Sequence, residues 1–220
     1  MTADTPADTT FRLAIFPLAG AVLFPGLHLP LHIFEPRYRA MVQDVLIRTR
    51  QIGMIQPLPA ALGAGADAPP LHAIGTVGRI VDVETLDDGR FNLVLEGVGR
   101  FRLLSERTVD TPFRQVDAAW IDPPADTAPL EVLASTERAA LESAARRFAD
   151  SQGYVVDWAS VTALDDAMLV NGIAQVAPFD AGAKQALLEA DGIAARAALA
   201  MDLMDFYGRL GGDEGGVSLQ

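Results

Sequence analysis

The chain has 220 residues, half of them hydrophobic, and carries 17 lysines and arginines against 29 aspartates and glutamates, a formal net charge of −12. This length and apolar content allow a sizeable core and exclude disorder over most of the sequence. Because there is no cysteine, a disulfide framework, a thiolate zinc site and a cysteine nucleophile are excluded.

The amino-terminal part contains an uncharged stretch of 22 residues, from Leu13 to Phe34, which is long enough to span a bilayer. Prolines and glycines interrupt it repeatedly, and such breaks would leave backbone groups without partners in hydrocarbon. The stretch therefore predicts buried strands and turns, with no membrane span. The first ten residues, MTADTPADTT, hold no basic residue and no apolar run, so we expect no secretory signal and a cytoplasmic protein.

The first elements along the chain are predicted to be strands. Apolar runs at 12–16 and 21–24 each end at a proline, which is typical of short strands. Over residues 27–33, leucine and isoleucine alternate with two histidines and Pro30, so one face of this strand should be buried. The proline places the strand at a sheet edge or at a break.

A single helix is predicted to interrupt the strands. Glu35 and Pro36 are typical of a helix start, and apolar residues follow at helical spacing up to Leu46. A short strand is expected at 52–56, and the Ala-, Pro- and Gly-rich segment 57–71 predicts a mobile loop.

The clearest strand pattern in the chain is a hairpin. Apolar residues alternate from Gly75 to Leu86, the sequence Asp-Asp-Gly at 87–89 makes a turn, and alternation resumes at Phe91. Glycines near Gly97 indicate a bulge in the return strand. With a final strand at 113–121, the first half predicts a compact, partly closed barrel with one inserted helix, because closure removes exposed strand edges.

The second half is predicted to be helical. A linker at 123–126 precedes four amphipathic segments. The expected helices are 129–150, 164–176, 181–190 and 192–210. The fold class is therefore α+β, a β-rich barrel followed by a helical bundle. The expected organisation is a disordered tail at 1–10, a β-rich domain at 11–122, a helical domain at 123–211 and a second disordered tail at 212–220.

The charge distribution supports two regions with different surfaces. Residues 11–120 hold eleven arginines and eleven acids, whereas residues 121–220 hold six basic residues and sixteen acids. An acidic chain whose single lysine is Lys184 repels phosphate backbones, so we expect no nucleic-acid partner.

The sequence offers little that could break bonds. It has no G-x-S-x-G and no G-x-x-x-x-G-K-[ST] motif. Lys184 lies on a predicted helix, where an exposed side chain is the norm, and no serine sits in a glycine-tight turn that would expose a nucleophile. We therefore expect no catalytic residue and no cofactor.

Histidines and carboxylates were weighed as metal or acid–base groups. His28 and His32 share a strand face but should stand about 13 Å apart, too far to share one zinc ion at about 2 Å. We expect solvent-facing histidines and no metal. Simpler roles are expected for the carboxylates: turn chemistry at 87–89, and ion pairs or caps for Glu35 near Arg37 and for Glu96 near Arg100.

Two ordered motifs resemble a known family. The run IFPLAGAVLFPGLHLPLHIFEPRYRAMV at 15–42, followed by GTVGRIVDVETLDDGRFNLVLEGVGRFRL at 75–103, is similar to the amino-terminal substrate-binding domain of the Lon proteases. The helical segment 169–196 resembles the bundle that follows this domain. The similarity covers residues 11–210 and implies a barrel similar to the PUA fold.

The resemblance implies recognition of polypeptide. The chain ends after the helices, without a recognisable ATPase or protease module, so it is similar to stand-alone Lon-domain proteins and is expected to be non-catalytic. The expected partners are unfolded polypeptides or a protease or chaperone, and homo-oligomerisation stays open. The resemblance and the irregular strands suggest the binding residues Phe24, His28, His32, Phe34, Arg37, Tyr38 and Arg100. A core position is the more common role for such phenylalanines and an ion pair for such arginines, whereas Tyr38 could equally be core.

Two other classes of function remain open at the sequence level. One is a hydrolase, specifically a protease, which rests on the family name and on the acidic residues. The other is RNA binding through the PUA-like barrel, which would require a local arginine patch in the neutral half of the chain.

Overall fold

The computed structural model describes residues 10–58, 69–122 and 131–213, with side chains described as far as residue 209. The chain divides into two compact units, Met1–Ala128 and Pro129–Gln220. Strands fill the first unit and helices the second, apart from one helix in the first. The chain is therefore α+β, as the sequence predicts. The predicted tails at 1–10 and 212–220 lie almost wholly outside the described residues, as does the linker at 123–126.

Within residues 10–58 and 69–122, the first unit contains six strands and one helix. They are β1 Thr10–Pro17, β2 His28–Ile33, α1 Pro36–Leu46, β3 Gln51–Ile55, β4 Ile74–Thr85, β5 Phe91–Glu106 and β6 Gln115–Trp120. The strand order is β2-β5-β4-β3-β1-β6, and β5 also pairs with β6. Five strands thus close into a ring, and β2 lies outside it as an edge strand. The predicted partly closed barrel is confirmed.

Strand β5 makes this closure feasible because it is long enough to serve two partners. Its first part, from Phe91 to Glu96, pairs antiparallel with β2, and its later part, from Phe101 to Glu106, pairs antiparallel with β6. Along its other edge β5 pairs with β4. Only β1 and β3 run parallel, because β2 and α1 lie between them in the chain.

Two hydrophobic clusters stabilise this unit. The first draws residues from all five ring strands and fills the ring: Leu13, Ile15, Ile55, Val77, Phe101, Val116 and Ala118. The second lies between α1 and the sheet, where Tyr38, Met41, Val42 and Val45 of the helix are buried. Strand β3 is therefore buried on both faces, and α1 packs through the stripe that its sequence predicts.

One predicted strand is absent. Residues 21–24 are irregular, although Val22, Leu23 and Phe24 are buried. The hydroxyl of Thr76 donates to the carbonyl of Leu23 at 2.6 Å, and the N–H of Gly26 donates to the carbonyl of Gly97 at 2.8 Å. These bonds from neighbouring segments satisfy the backbone without a strand ladder, so the strand prediction was wrong here.

The segment 21–24 approaches β5 closely, and this approach explains why position 97 is a glycine. A Cβ atom on Gly97 would lie 2.2 Å from the carbonyl oxygen of Phe24, so only glycine allows the contact. The register also shifts here, since Val77 faces Gly99 and Gly78 faces Gly97. This confirms the bulge that the glycines predict.

The described part of the second unit, residues 131–213, contains five helices. They are α2 Ser135–Gln152, α3 Trp158–Thr162, α4 Asp166–Val176, α5 Ala181–Glu189 and α6 Gly192–Asp213. Helix α6 packs against α2, α4 and α5. The cap of α5 at Asp180 is confirmed, since its side chain accepts from the N–H of Ala183 at 2.8 Å.

Three helix predictions need correction. Helix α2 begins at Ser135 and not at Pro129, because the carboxylate of Asp166 accepts the N–H of Leu133 and holds that segment extended. The five-residue α3, capped by Asp157, was not predicted. Helix α6 continues through the glycine pair at 211–212 to Asp213, since glycine weakens a helix without ending it.

Candidate functional site

The candidate site lies on the solvent-facing side of strands β2, β5 and β4, which we call the outer face. Antiparallel pairing aligns its side chains in rows across the three strands. His28, Glu96 and Arg79 form one row, Pro30, Val94 and Asp82 a second, and His32, Asn92 and Glu84 a third. The opposite face of the same strands packs against α1, so only the outer face is open to a ligand.

A bulge in β4 determines which carboxylates reach the outer face. Ile80 pairs with Leu95 and Asp82 with Val94, so Val81 has no opposite residue. If Val81 were paired regularly, strict alternation from Ile80 would point Asp82 and Glu84 toward the core. The bulge therefore places both carboxylates in solvent and also leaves the Val81 side chain exposed.

The outer face carries a shallow groove of 390 Å³. Residues of all three strands line it, namely Pro30, Leu31, His32, Asp82, Glu84, Asn92, Leu93 and Val94. The β2 side contributes proline and an imidazole, because the Leu31 side chain packs against the cluster beneath the sheet, whereas the β4 side contributes two carboxylates. The groove thus has one largely apolar wall and one acidic wall.

A chain of hydrogen bonds orders one end of the groove. Asn92 Nδ2 donates to Glu84 Oε2 at 2.8 Å, so its Oδ1 accepts from His32 Nδ1 at 2.7 Å. The other ring nitrogen of His32 then accepts from Arg90 at 3.3 Å. Arg90 also contacts Asp88 at 2.6 Å. The pKa of the Asp88 carboxyl is lowered, mainly by the hydrogen bond that it accepts from the backbone N–H of Arg90.

Four predicted binding residues are exposed. His28 and His32 lie on the outer face, and Phe34 stacks 6.2 Å from the His32 ring with 60% of its surface exposed. Arg37 lies in the first turn of α1, where it pairs with Glu35 at 2.8 Å as expected. The structure thus brings His32 and Phe34 together beside the groove.

The other three predicted binding residues are buried. Phe24 and Tyr38 belong to the core, and burial raises the pKa of the Tyr38 hydroxyl. Arg100 is 3% exposed, and its guanidinium contacts Asp122 at 2.5 Å. These positions offer little or no surface to a ligand. The predicted pair of Glu96 with Arg100 was wrong, because Glu96 pairs with Arg79 at 2.7 Å.

Lys184 differs from its expected surface role. Its ammonium group donates to the carbonyl of Gln175 at 2.7 Å, near the end of α4, and burial lowers its pKa.

Within 10–58, 69–122 and 131–213, no cluster of three or more histidines and acids is placed to hold a metal ion. Among the same residues, no helix is both long and apolar enough for a membrane crossing.

Comparison with known proteins establishes the class. Residues 12–205 match the model of the ATP-dependent protease La (LON) substrate-binding domain. The chain therefore belongs to this family, as the two sequence motifs indicate.

Its relatives include complete Lon proteases. Lon protease 2 of Sorangium cellulosum is 33% identical over 113 residues, which are 50% of this chain and 14% of that protein. Lon protease 1 of Syntrophobacter fumaroxidans is 27% identical over 197 residues, which are 88% of this chain and 23% of that protein. This chain thus spans less than a quarter of the length of either protease.

Solved structures share the fold. The Lon N-terminal domain protein from Xanthomonas campestris superimposes with a TM-score of 0.64 at 24% identity, covering 87% of this chain and 98% of that one. The N-terminal domain of Mycobacterium avium complex Lon protease gives a TM-score of 0.63 at 15% identity, covering 89% of this chain and 98% of that one.

Several groove residues were not singled out for binding from the sequence. The sequence pattern suggests Asp82 and Glu84 only as candidate acid–base groups, and it does not point to Asn92 or Val94. One signal was available, since the adjacent apolar residues Ile80 and Val81 break the alternation of the strand. Such a break is typical of a bulge, which re-aims the side chains that follow it.

Proposed function

We propose that this protein is a non-catalytic polypeptide-binding module, and that its outer face binds extended segments of unfolded or partner chains. One observation carries the proposal: in a chain of the Lon substrate-binding family, an open groove on three antiparallel strands lies beside the exposed ring of Phe34.

The groove has physical properties that suit an extended peptide. The groove is apolar at Pro30 and Val94, so bound side chains would remove apolar surface from water. Phe34 adds a large exposed aromatic ring, and aromatic residues often dominate binding energy in interfaces. The groove lies next to β2, which ends the sheet, so a ligand chain can approach from the side without displacing a strand.

The relatives suggest which role the binding of polypeptide serves. The matched proteases carry this region as a small part of their length, and the family model describes it as a substrate-binding domain. We propose that this chain likewise holds polypeptide without cleaving it, either for a protease or chaperone partner or as an adaptor.

Fluorescence anisotropy with labelled, permanently unfolded casein tests this function. We expect saturable binding to the full chain. Phe34→Ala should weaken it about fivefold, since an aromatic side chain buried in part on binding contributes about 1 kcal/mol. The matched control is Phe206→Ala in α6, because Phe206 is 58% exposed and lies in the other unit. Absence of saturable binding, or equal loss in both variants, would contradict the proposal.

A further inference from the structure

We infer that the groove selects extended segments with lysine or arginine at alternate positions beside an apolar residue. This inference deepens the proposed function and rests on it. The observation that supports the inference is the acidic wall of the groove. Asp82 and Glu84 form this wall without an arginine to neutralise them, and it faces the apolar wall at Pro30 and Val94.

Asp82 and Glu84 differ from most acids in their unit because neither is paired with an arginine among the described residues. Most acidic side chains described there lie within 4.0 Å of a guanidinium. These are Glu35, Asp44, Asp88, Glu96, Glu106, Asp117 and Asp122. By contrast, the side chain of Asp82 makes no ion pair or hydrogen bond among the described residues. The side chain of Glu84 accepts a hydrogen bond only from the neutral amide of Asn92.

Cations near the groove do not cancel this charge. Arg79 lies in the first row, where Glu96 binds it at 2.7 Å. Arg90 lies beyond the third row, where Asp88 binds it at 2.6 Å. His32 contacts Arg90 through its other ring nitrogen at 3.3 Å, at one end of the groove. The central part of the groove therefore keeps a local negative charge that complements a basic ligand.

The spacing of the two carboxylates fits a strand-like ligand. Asp82 and Glu84 are two residues apart on one strand face, so they stand about 6.6 to 7 Å apart along β4. Alternate side chains of an extended peptide have the same spacing. A ligand lying along β4 can thus present two basic side chains to the acidic wall in register.

The apolar wall sets the second requirement. Pro30 and Val94 occupy the same row as Asp82, so an apolar ligand residue can contact them while its basic neighbours reach the carboxylates. A purely basic peptide would leave this wall solvated, and a purely apolar one would bury Asp82 and Glu84 without a partner charge. The preferred ligand is therefore mixed.

Three labelled peptides of equal length test the inference by anisotropy with the full chain. Each alternates valine with one polar residue, which is lysine, glutamine or glutamate. We expect the lysine peptide to bind about fivefold more tightly than the glutamine peptide, since two exposed ion pairs each contribute up to about threefold. The glutamate peptide should bind least. The lysine preference should shrink between about 50 and 300 mM salt.

Paired variants localise the effect. Asp82→Asn with Glu84→Gln should abolish the preference for lysine while leaving glutamine-peptide binding within about twofold. The control is Asp87→Asn with Asp110→Asn, which changes net charge equally at exposed acids outside the groove that also make no arginine pair among the described residues. The control should keep the preference.

The outcomes separate this inference from the proposed function. If all three peptides bind alike, or if both variants lose the preference equally, the inference is wrong while polypeptide binding stands. If casein binds in a Phe34-dependent manner but no peptide binds, the groove does not select this chemistry. If neither casein nor any peptide binds, both proposals fail together.

Discussion

The surroundings of each carboxylate decide whether it serves stability or remains available to a ligand. Asp166 is an example of the first kind. It accepts the N–H of Leu133 at 2.8 Å and pairs with Arg138, whose guanidinium also donates to the carbonyls of Thr162 and Leu164. These bonds connect the start of α2 to the region around α3 and α4, so Asp166 acts as a structural anchor.

The pKa of Asp166 gives a pH-dependent prediction. The hydrogen bond from Leu133 and the guanidinium of Arg138 lower this pKa below its usual value. The carboxylate therefore stabilises the fold above the unfolded-state pKa of about 3.9 and loses this effect as pH falls through the folded-state pKa. Asp166→Asn should lower the free energy of unfolding by about 1 kcal/mol near pH 7.

Urea unfolding followed through Trp158 measures this change, with Trp120→Phe as the background because Trp120 lies in the other unit. The difference between Asp166 and its asparagine variant should narrow below about pH 4. A difference that stays constant with pH would show that the charge of Asp166 does not contribute.

At the scale of elements, small irregularities decide what the sheet presents to solvent. Local pattern predicted α1, the 75–104 hairpin and the edge position of β2 correctly, because each depends on periodicity and on proline or turn chemistry. The segment 21–24 and the start of α2 were mispredicted because Thr76 and Asp166 supply bonds from distant positions. Such partners are invisible in a local window.

The bulge at Val81 can be tested by changing the number of residues in β4. Deleting Val81 removes the residue that the ladder leaves unpaired, so Ile80 stays opposite Leu95 and Asp82 opposite Val94, and Asp82 and Glu84 should still face solvent. We expect the free energy of unfolding to change by less than about 1 kcal/mol, because no charge is buried and no core side chain is removed. Val81→Ala keeps the bulge and should cost less than about 1 kcal/mol.

Circular dichroism during urea titration compares these two variants with the parent chain. A deletion variant much less stable than the alanine variant would show that Asp82 and Glu84 turn toward the core, since burying an unpaired charge costs about 3 kcal/mol or more.

At the scale of the whole molecule, the two units have separate cores. The first unit closes its strand ring around its own apolar residues, and the second packs α2, α4 and α5 on α6. We propose that the β-rich unit is an independent domain, with limits near the 11–122 expected from sequence.

A fragment of residues 1–128 tests this proposal. Because both hydrophobic clusters and every groove residue belong to this unit, the fragment should unfold cooperatively and bind the lysine peptide within about twofold of the full chain. Calorimetry and anisotropy check the two statements separately. Non-cooperative melting would show that the helical unit is required for folding.

The amino-acid pattern alone was enough to indicate the class of fold, the order of most elements and the family, because periodicity, proline positions and ordered motifs are local properties. Three-dimensional pairing decided the rest. Only the neighbours across strands show that Arg100 is neutralised by Asp122, that Tyr38 is core, and that a single unpaired valine turns two carboxylates outward. Charge, burial and facing depend on residues far apart in the chain, and those neighbours exist only once it has folded.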